Sequence, residues 1–131
     1  MTKYRYDQLL FSSVTANKIN VGNPQGTIGI SGSIASGNTQ NFSTTITLSS
    51  TQNYTVIYGQ NENTNNKTKL DSTTSVSYIY QAVSQESATC AVSFGSNQVT
   101  VTISVFNGTA STITLTSQNI LITAVEYKLP F

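Results

Sequence analysis

The sequence predicts an all-β chain, an antiparallel β-sandwich or jelly roll of about eight to ten short strands. Three observations carry this. Apolar residues recur with a period of two along most of the chain. Gly- and Asn-containing turn dipeptides separate the alternating runs. The composition is rich in β-branched and hydroxylated residues, with 21 Thr and 18 Ser, and no segment has a helical period. A chain of 131 residues suits one domain, and 37% hydrophobic residues suffice for its core.

The runs follow in order. Ile28, Ile30, Gly32 and Ile34 share a face in TIGISGSI, and Phe42, Thr44, Ile46 and Leu48 share one in NFSTTITL. Tyr54, Val56 and Tyr58 form the next strand, and Val76, Tyr78 and Tyr80 another. Cys90, Val92 and Phe94 precede Val99, Val101, Ile103 and Val105, with Gly95-Ser96-Asn97 as a tight hairpin turn between them. Asn107-Gly108 marks a turn before the short Ile113/Leu115 strand. The last strand is apolar on both faces, Ile120, Ile122 and Ala124 on one and Leu121, Val125 and Tyr127 on the other, as in a sheet centre or a subunit contact.

One pattern occurs twice. TITLSSTQNYTVIY at 45–58 and TITLTSQNILITAVEY at 112–127 each read as a hairpin: an alternating strand, a polar turn ending in Gln-Asn, and a second strand ending in Tyr. Thr45, Thr47 and Ser49 form the wet face of the first copy, and Thr112, Thr114 and Thr116 that of the second. Two explanations stand: the same strand chemistry used twice in a Thr-rich chain, or equivalent strand pairs in the two sheets.

Two segments depart from the alternation. Residues 1–26 are irregular and read as an N-terminal arm or short stalk, leaving 27–131 as the sandwich. The stretch GQNENTNNKTKLDS at 59–72 is almost wholly polar and reads as a long loop. It is either solvated or a contact surface, and in the second case Asn61, Glu62, Asn65, Lys67 and Lys69 make the contact.

Chemistry is sparse. The chain has no His, which removes Ser-His-Asp and Cys-His catalysis and the usual zinc sites. The five acids, Asp7, Glu62, Asp71, Glu86 and Glu126, are scattered, so paired-carboxylate catalysis finds no sequence support. The Asn-rich stretch around Glu62 offers oxygens but too little charge for calcium. There is no phosphate-binding glycine motif. The expectation is a non-enzyme with no catalytic, metal or cofactor residues. The six basic residues are dispersed and the net charge is +1, which sets nucleic acid aside. No run is long enough for membrane insertion, and the N-terminus lacks the apolar core of a signal peptide. Cys90 reads as a small core residue. Sequons at Asn41, Asn53, Asn66 and Asn107 match the number that 13 Asn in so Ser/Thr-rich a chain produce by chance. Tyr54, Tyr58, Tyr78 and Tyr80 either fill core and rim positions or form a ledge for a sugar.

The phrase VTANKINVGN, followed by Gly-punctuated Thr/Ser/Asn-rich strands, resembles the stalk-to-head region of bacteriophage and virus fibre proteins. ANKINVG is similar to segments common in phage tail proteins. From IGISGSIASGNTQNFSTTITL to FNGTASTITLTSQNILITAVEY the chain resembles the small β-sandwich heads of such fibres, and also H-type-lectin-like sandwiches. The resemblance covers nearly the whole chain and supplies no functional residue. It implies a virion structural protein, a fibre head or surface decoration protein assembled in the host cytoplasm, often trimeric. Its partners would be its own copies, other virion proteins, and a host-surface glycan or protein. A carbohydrate-binding lectin-like module is the alternative. Apolar chain ends fit either a homotrimer, with Tyr4, Tyr6, Phe11, Leu121, Val125, Tyr127 and Phe131 as interface candidates, or ends that fold back into the chain's own core.

Overall fold

The computed structural model describes residues 24–49, 54–71 and 76–127. Strands make up 62% of them. In chain order these are β1 (Gly26–Ile30), β2 (Ser33–Ile34), β3 (Thr39–Thr47), β4 (Tyr54–Asn61), β5 (Lys67–Leu70), β6 (Glu86–Gly95), β7 (Gln98–Asn107), β8 (Ile113–Thr114) and β9 (Gln118–Tyr127). The architecture is an antiparallel sandwich. A four-stranded sheet ordered β1-β9-β4-β5 faces a three-stranded sheet ordered β3-β7-β6, and the short β2-β8 pair joins them at one end.

The two-residue period builds the core directly, because alternate side chains of each strand point to one face. Ile28 and Ile30 of β1, Ile57 of β4, Leu70 of β5 and Ile120 and Ile122 of β9 meet Ile46 of β3 and Val99, Val101, Ile103 and Val105 of β7 in one buried cluster. Each such side chain contributes about 1.5–3 kcal/mol by leaving water. Gly59 is a point of close approach: a Cβ there would stand 2.8 Å from Leu70 Cδ1 and 3.0 Å from Ile79 Cδ1. Cys90 is buried among these residues, as expected.

The outer face of the three-stranded sheet carries the hydroxyls. Thr45 and Thr100 stand opposite each other and share a hydrogen bond of 3.0 Å. Ser104 Oγ donates to Asn41 Oδ1 across the same strand pair at 2.7 Å. These cross-strand pairs explain why Thr and Ser occupy the wet positions: each is extended in habit and satisfies its neighbour.

Several sequence expectations change. The strand expected through Ile28, Ile30, Gly32 and Ile34 is interrupted, since Gly32 adopts φ 98° and separates β1 from β2. The doubled stretches are not hairpins. In each, the first strand lies in one sheet and the second in another, β3 then β4, and β8 then β9. The second strands of the two copies pair with each other, Tyr54 opposite Tyr127 and Val56 opposite Val125. Alternation specifies faces, not partners, so it could not show this.

The segment expected as a strand at Val76–Tyr80 begins with a turn of 3-10 helix, Val76–Tyr78. Val76, Ile79 and Tyr80 are buried and Tyr78 is exposed. This is an i, i+3, i+4 pattern rather than an alternating one. The hairpin at Gly95-Ser96-Asn97 forms as expected, with Gly95 paired to Gln98 and Asn97 at φ 55°.

The long loop expected at 59–72 is instead largely a hairpin. β4 runs through Gln60 and Asn61, the turn is short, and β5 returns at Lys67 to pair with Gln60. Asn61 is fully buried. Its Nδ2 donates to the Ile79 carbonyl at 2.6 Å and to Gln118 Oε1 at 3.0 Å. Its Oδ1 accepts from the backbone N–H of Asn63 at 2.8 Å and of Thr64 at 3.3 Å. Gln118 completes the network. Its Oε1 accepts from Gln81 N–H at 2.8 Å, and its Nε2 donates to the carbonyls of Gln81 and Thr116, both at 3.1 Å.

Deleting residues 61–69 would therefore remove a buried anchor and should destabilise the domain. Asn61→Ala should cost about 2–3 kcal/mol, because it strands buried partners. Asn63→Ala, at an exposed position, should stay within about 0.5 kcal/mol. Denaturant midpoints compare the two. Thr123 offers the converse case: its buried Oγ1 has no hydrogen-bond partner. Thr123→Val keeps the shape and removes the unpaired hydroxyl, so it should raise stability by about 1 kcal/mol in the same measurement.

Candidate functional site

The clearest concavity among the described residues lies where the two sheets separate at one edge. β5 is the edge strand of one sheet and β6 of the other. β5 pairs with β4 only along Ile57–Gln60, so Tyr54–Val56 runs on past its end. A cleft of about 260 Å³ occupies this corner, lined by Tyr54, Thr55, Val56, Ile57, Lys69, Leu70, Asp71, Val92 and Phe94.

Its floor follows from strand alternation. Ile57 and Leu70 are core residues of the four-stranded sheet. Val92 and Phe94 continue the core-facing row of Cys90 on β6 towards the hairpin tip. Exposure rises along that row, and Phe94 is 57% exposed. The rim is polar. Lys69 Nζ lies 3.8 Å from Asp71 Oδ2, with both side chains partly exposed. A pair of this kind contributes about 0–1 kcal/mol to stability. The cleft thus combines an accessible aromatic ring, an aliphatic floor and a charge-balanced polar edge.

The residues expected at a contact loop are distributed differently. Asn61 is interior and holds the fold. Glu62 and Asn65 are exposed at the tip of the β4–β5 hairpin, with Asn65 at φ 61° and its N–H donating to the Asn61 carbonyl at 2.8 Å. Lys67 and Lys69 lie on β5 opposite Gln60 and Tyr58. Of the five, only Lys69 lines the cleft.

The interface candidates divide likewise. Tyr4, Tyr6, Phe11 and Phe131 lie outside the described residues, as does the expected arm up to residue 23. Gln25 and Gly26, expected in that arm, belong to the sheet: Gly26 pairs with Ile122, and the Gln25 side chain donates to Ala124 O at 3.1 Å and accepts from Ala124 N at 2.6 Å. Leu121, Val125 and Tyr127 are half-buried on the outer face of the four-stranded sheet. There Val125 and Tyr127 join Tyr54, Val56 and Tyr58 in a second apolar cluster, in which Val56 and Tyr58 are each only 3% exposed.

No Tyr ledge forms. Tyr58 and Tyr80 are buried in different places, Tyr58 in the outer cluster and Tyr80 in the main core. Tyr78 is exposed, and Tyr54 alone lines the cleft. The sequon at Asn107 is structural. Its Nδ2 donates to the carbonyls of Ile34 at 2.9 Å and Ser111 at 2.8 Å, and its Oδ1 accepts from Thr109 Oγ1 at 2.7 Å. The cleft itself was hidden from sequence reading, because its walls meet only where β6 of one sheet packs near the β4–β5 hairpin of the other. The exposed Phe94 at the end of an otherwise core-facing row is the one local signal.

Among the described residues, no three of His, Cys, Asp and Glu gather into a metal-binding group. The described residues form an all-β antiparallel sandwich with a small open-edged cleft. No protein family, no curated protein and no solved structure matches the chain.

Among the described residues three buried groups bear on the alkaline behaviour: burial, with Tyr127 next, raises Tyr58 above its ordinary value, and Tyr80 and Cys90 shift further. Burial, with the Glu86 charge next, pushes the Tyr80 hydroxyl up to about 12, and Tyr80 Oη donates to Glu86 Oε1 at 3.4 Å. Burial, with the Asp71 charge next, pushes the Cys90 thiol up to about 11 from 9.0. All three groups hold their protons more tightly folded than unfolded. Stability is therefore complete below about pH 9 and falls as pH rises towards 12, where the unfolded chain binds fewer protons. Unfolding free energy measured from pH 8 to 12 should fall on this course. Cys90→Ala should flatten its lower part and Tyr80→Phe its upper part.

Proposed function

We propose that the chain is a non-enzymatic structural protein of a virion, a fibre-head or surface-decoration module that assembles as a homotrimer and contributes to host attachment or particle assembly. The observation that carries this reading is the outer face of the β4–β9 pair. A sheet face that fronts water alternates apolar-in and polar-out, yet this face bears Tyr54, Val56, Tyr58, Val125 and Tyr127 in one cluster. Leu121 extends the row, opposite Gln60. Val56 and Tyr58 are already covered within the chain, so the surface left for association is the half-buried Tyr54, Leu121, Val125 and Tyr127. The described residues begin and end near the patch: β9 ends at Tyr127, and the Gln25 side chain bonds the same strand at Ala124.

Light scattering or sedimentation should give three times the 14.0 kDa chain mass at micromolar concentration. Leu121→Ser and Val125→Ser, made separately, should each lower that mass while the domain still melts cooperatively. A wild-type monomer under these conditions overturns the assembly reading.

A further inference from the structure

We propose that the cleft between the β4, β5 and β6 ends is a saccharide-binding site, sized for one pyranose ring and selective for neutral sugars. The inference goes beyond assembly and concerns a cleft built by β4, β5 and β6 of one chain.

Four features carry the assignment. The first is size: about 260 Å³ falls just below the roughly 300–1,000 Å³ of pockets for drug-sized ligands, so a single ring is the fitting guest. The second is Phe94. It belongs by alternation to the core-facing row of β6, yet it is more than half exposed at the cleft. An aromatic face offers an apolar platform to the C–H side of a sugar ring. The third is the rim. The Lys69 ammonium donates only, the Asp71 carboxylate accepts only, and the Thr55 hydroxyl does both. A pair of adjacent sugar hydroxyls, each donor and acceptor, can satisfy such a set. The fourth is charge. The Lys69–Asp71 pair is balanced at 3.8 Å, so the rim favours neither an anion nor a cation.

The β4–β5 register places Lys69 opposite Tyr58 and Leu70 opposite Ile57, on a ladder that fixes the rim against the floor. The site is consequently preformed on strands rather than carried by a loop, which lowers the ordering cost of binding.

The test uses ¹⁵N-labelled full chain titrated with the methyl pyranosides of glucose, galactose, mannose and N-acetylglucosamine. Each is taken to about 50 mM, which reaches millimolar dissociation constants. At least one sugar should shift the backbone amides of residues 54–57, 69–71 and 92–94. Phe94→Ala, at an exposed position, should weaken that sugar about tenfold or more, and Asp71→Asn should also weaken it. Phe106→Ala, an exposed aromatic at the far end of the same sheet, should leave it unchanged. The proposal is overturned if no sugar of the four shifts the cleft amides, if the shifts fall elsewhere, or if folded Phe94→Ala and Asp71→Asn proteins bind as tightly as wild type.

Discussion

The rest of this structure depends on side-chain amides that take over where main-chain pairing stops. A sandwich whose strands repeatedly change sheets must bury peptide groups at each crossing, and an unpaired buried peptide group costs about 1–3 kcal/mol. Asn61 closes one crossing by bonding the Ile79 carbonyl and Gln118. Gln118 pairs with both backbone groups of Gln81. Where β7 leaves its sheet, Asn107 holds the Ile34 and Ser111 carbonyls. Gln25 prolongs the β1–β9 ladder by one rung through its side chain. These contacts position the 3-10 turn against the core and fix where β9 begins. They hold in place the sheet whose edge forms the cleft.

The same contacts mark the border of what the sequence could disclose. Faces were legible: Val99, Val101, Ile103 and Val105 alternate and are all buried. That follows because side-chain direction is a local property of an extended chain. Partners were not legible. The two copies of the TITL pattern look like hairpins, but hydrogen bonding joins β4 to β9 across some sixty residues. Asn61 illustrates the other gap. Within GQNENTNNKTKLDS it looks like any solvated amide, and only the fold decides that it alone turns inward. At Val76–Tyr80 the helical spacing of Val76, Ile79 and Tyr80 was present in the sequence, but aromatic and β-branched residues there favoured the strand reading.

The cleft and the outer apolar cluster share β4. Tyr54 and Val56 belong to both, since they line the cleft and pack with Val125 and Tyr127. Assembly through the outer cluster and ligand capture at the edge would therefore draw on one short stretch of chain. Ile57, next along the strand, anchors that stretch in the main core.

The hydroxyl-paired outer face of the three-stranded sheet has a consequence for the molecule's behaviour in solution. Thr45 with Thr100, and Asn41 with Ser104, hydrate the surface without ionising. The whole chain carries six basic and five acidic residues and no His. Most proteins stay dispersed through a net field that added salt screens within about 10 Å at 0.1 M. This surface relies on neutral dipoles instead, so its solubility is nearly independent of ionic strength and of pH across the neutral range. Such a coat keeps its character between media of very different salinity.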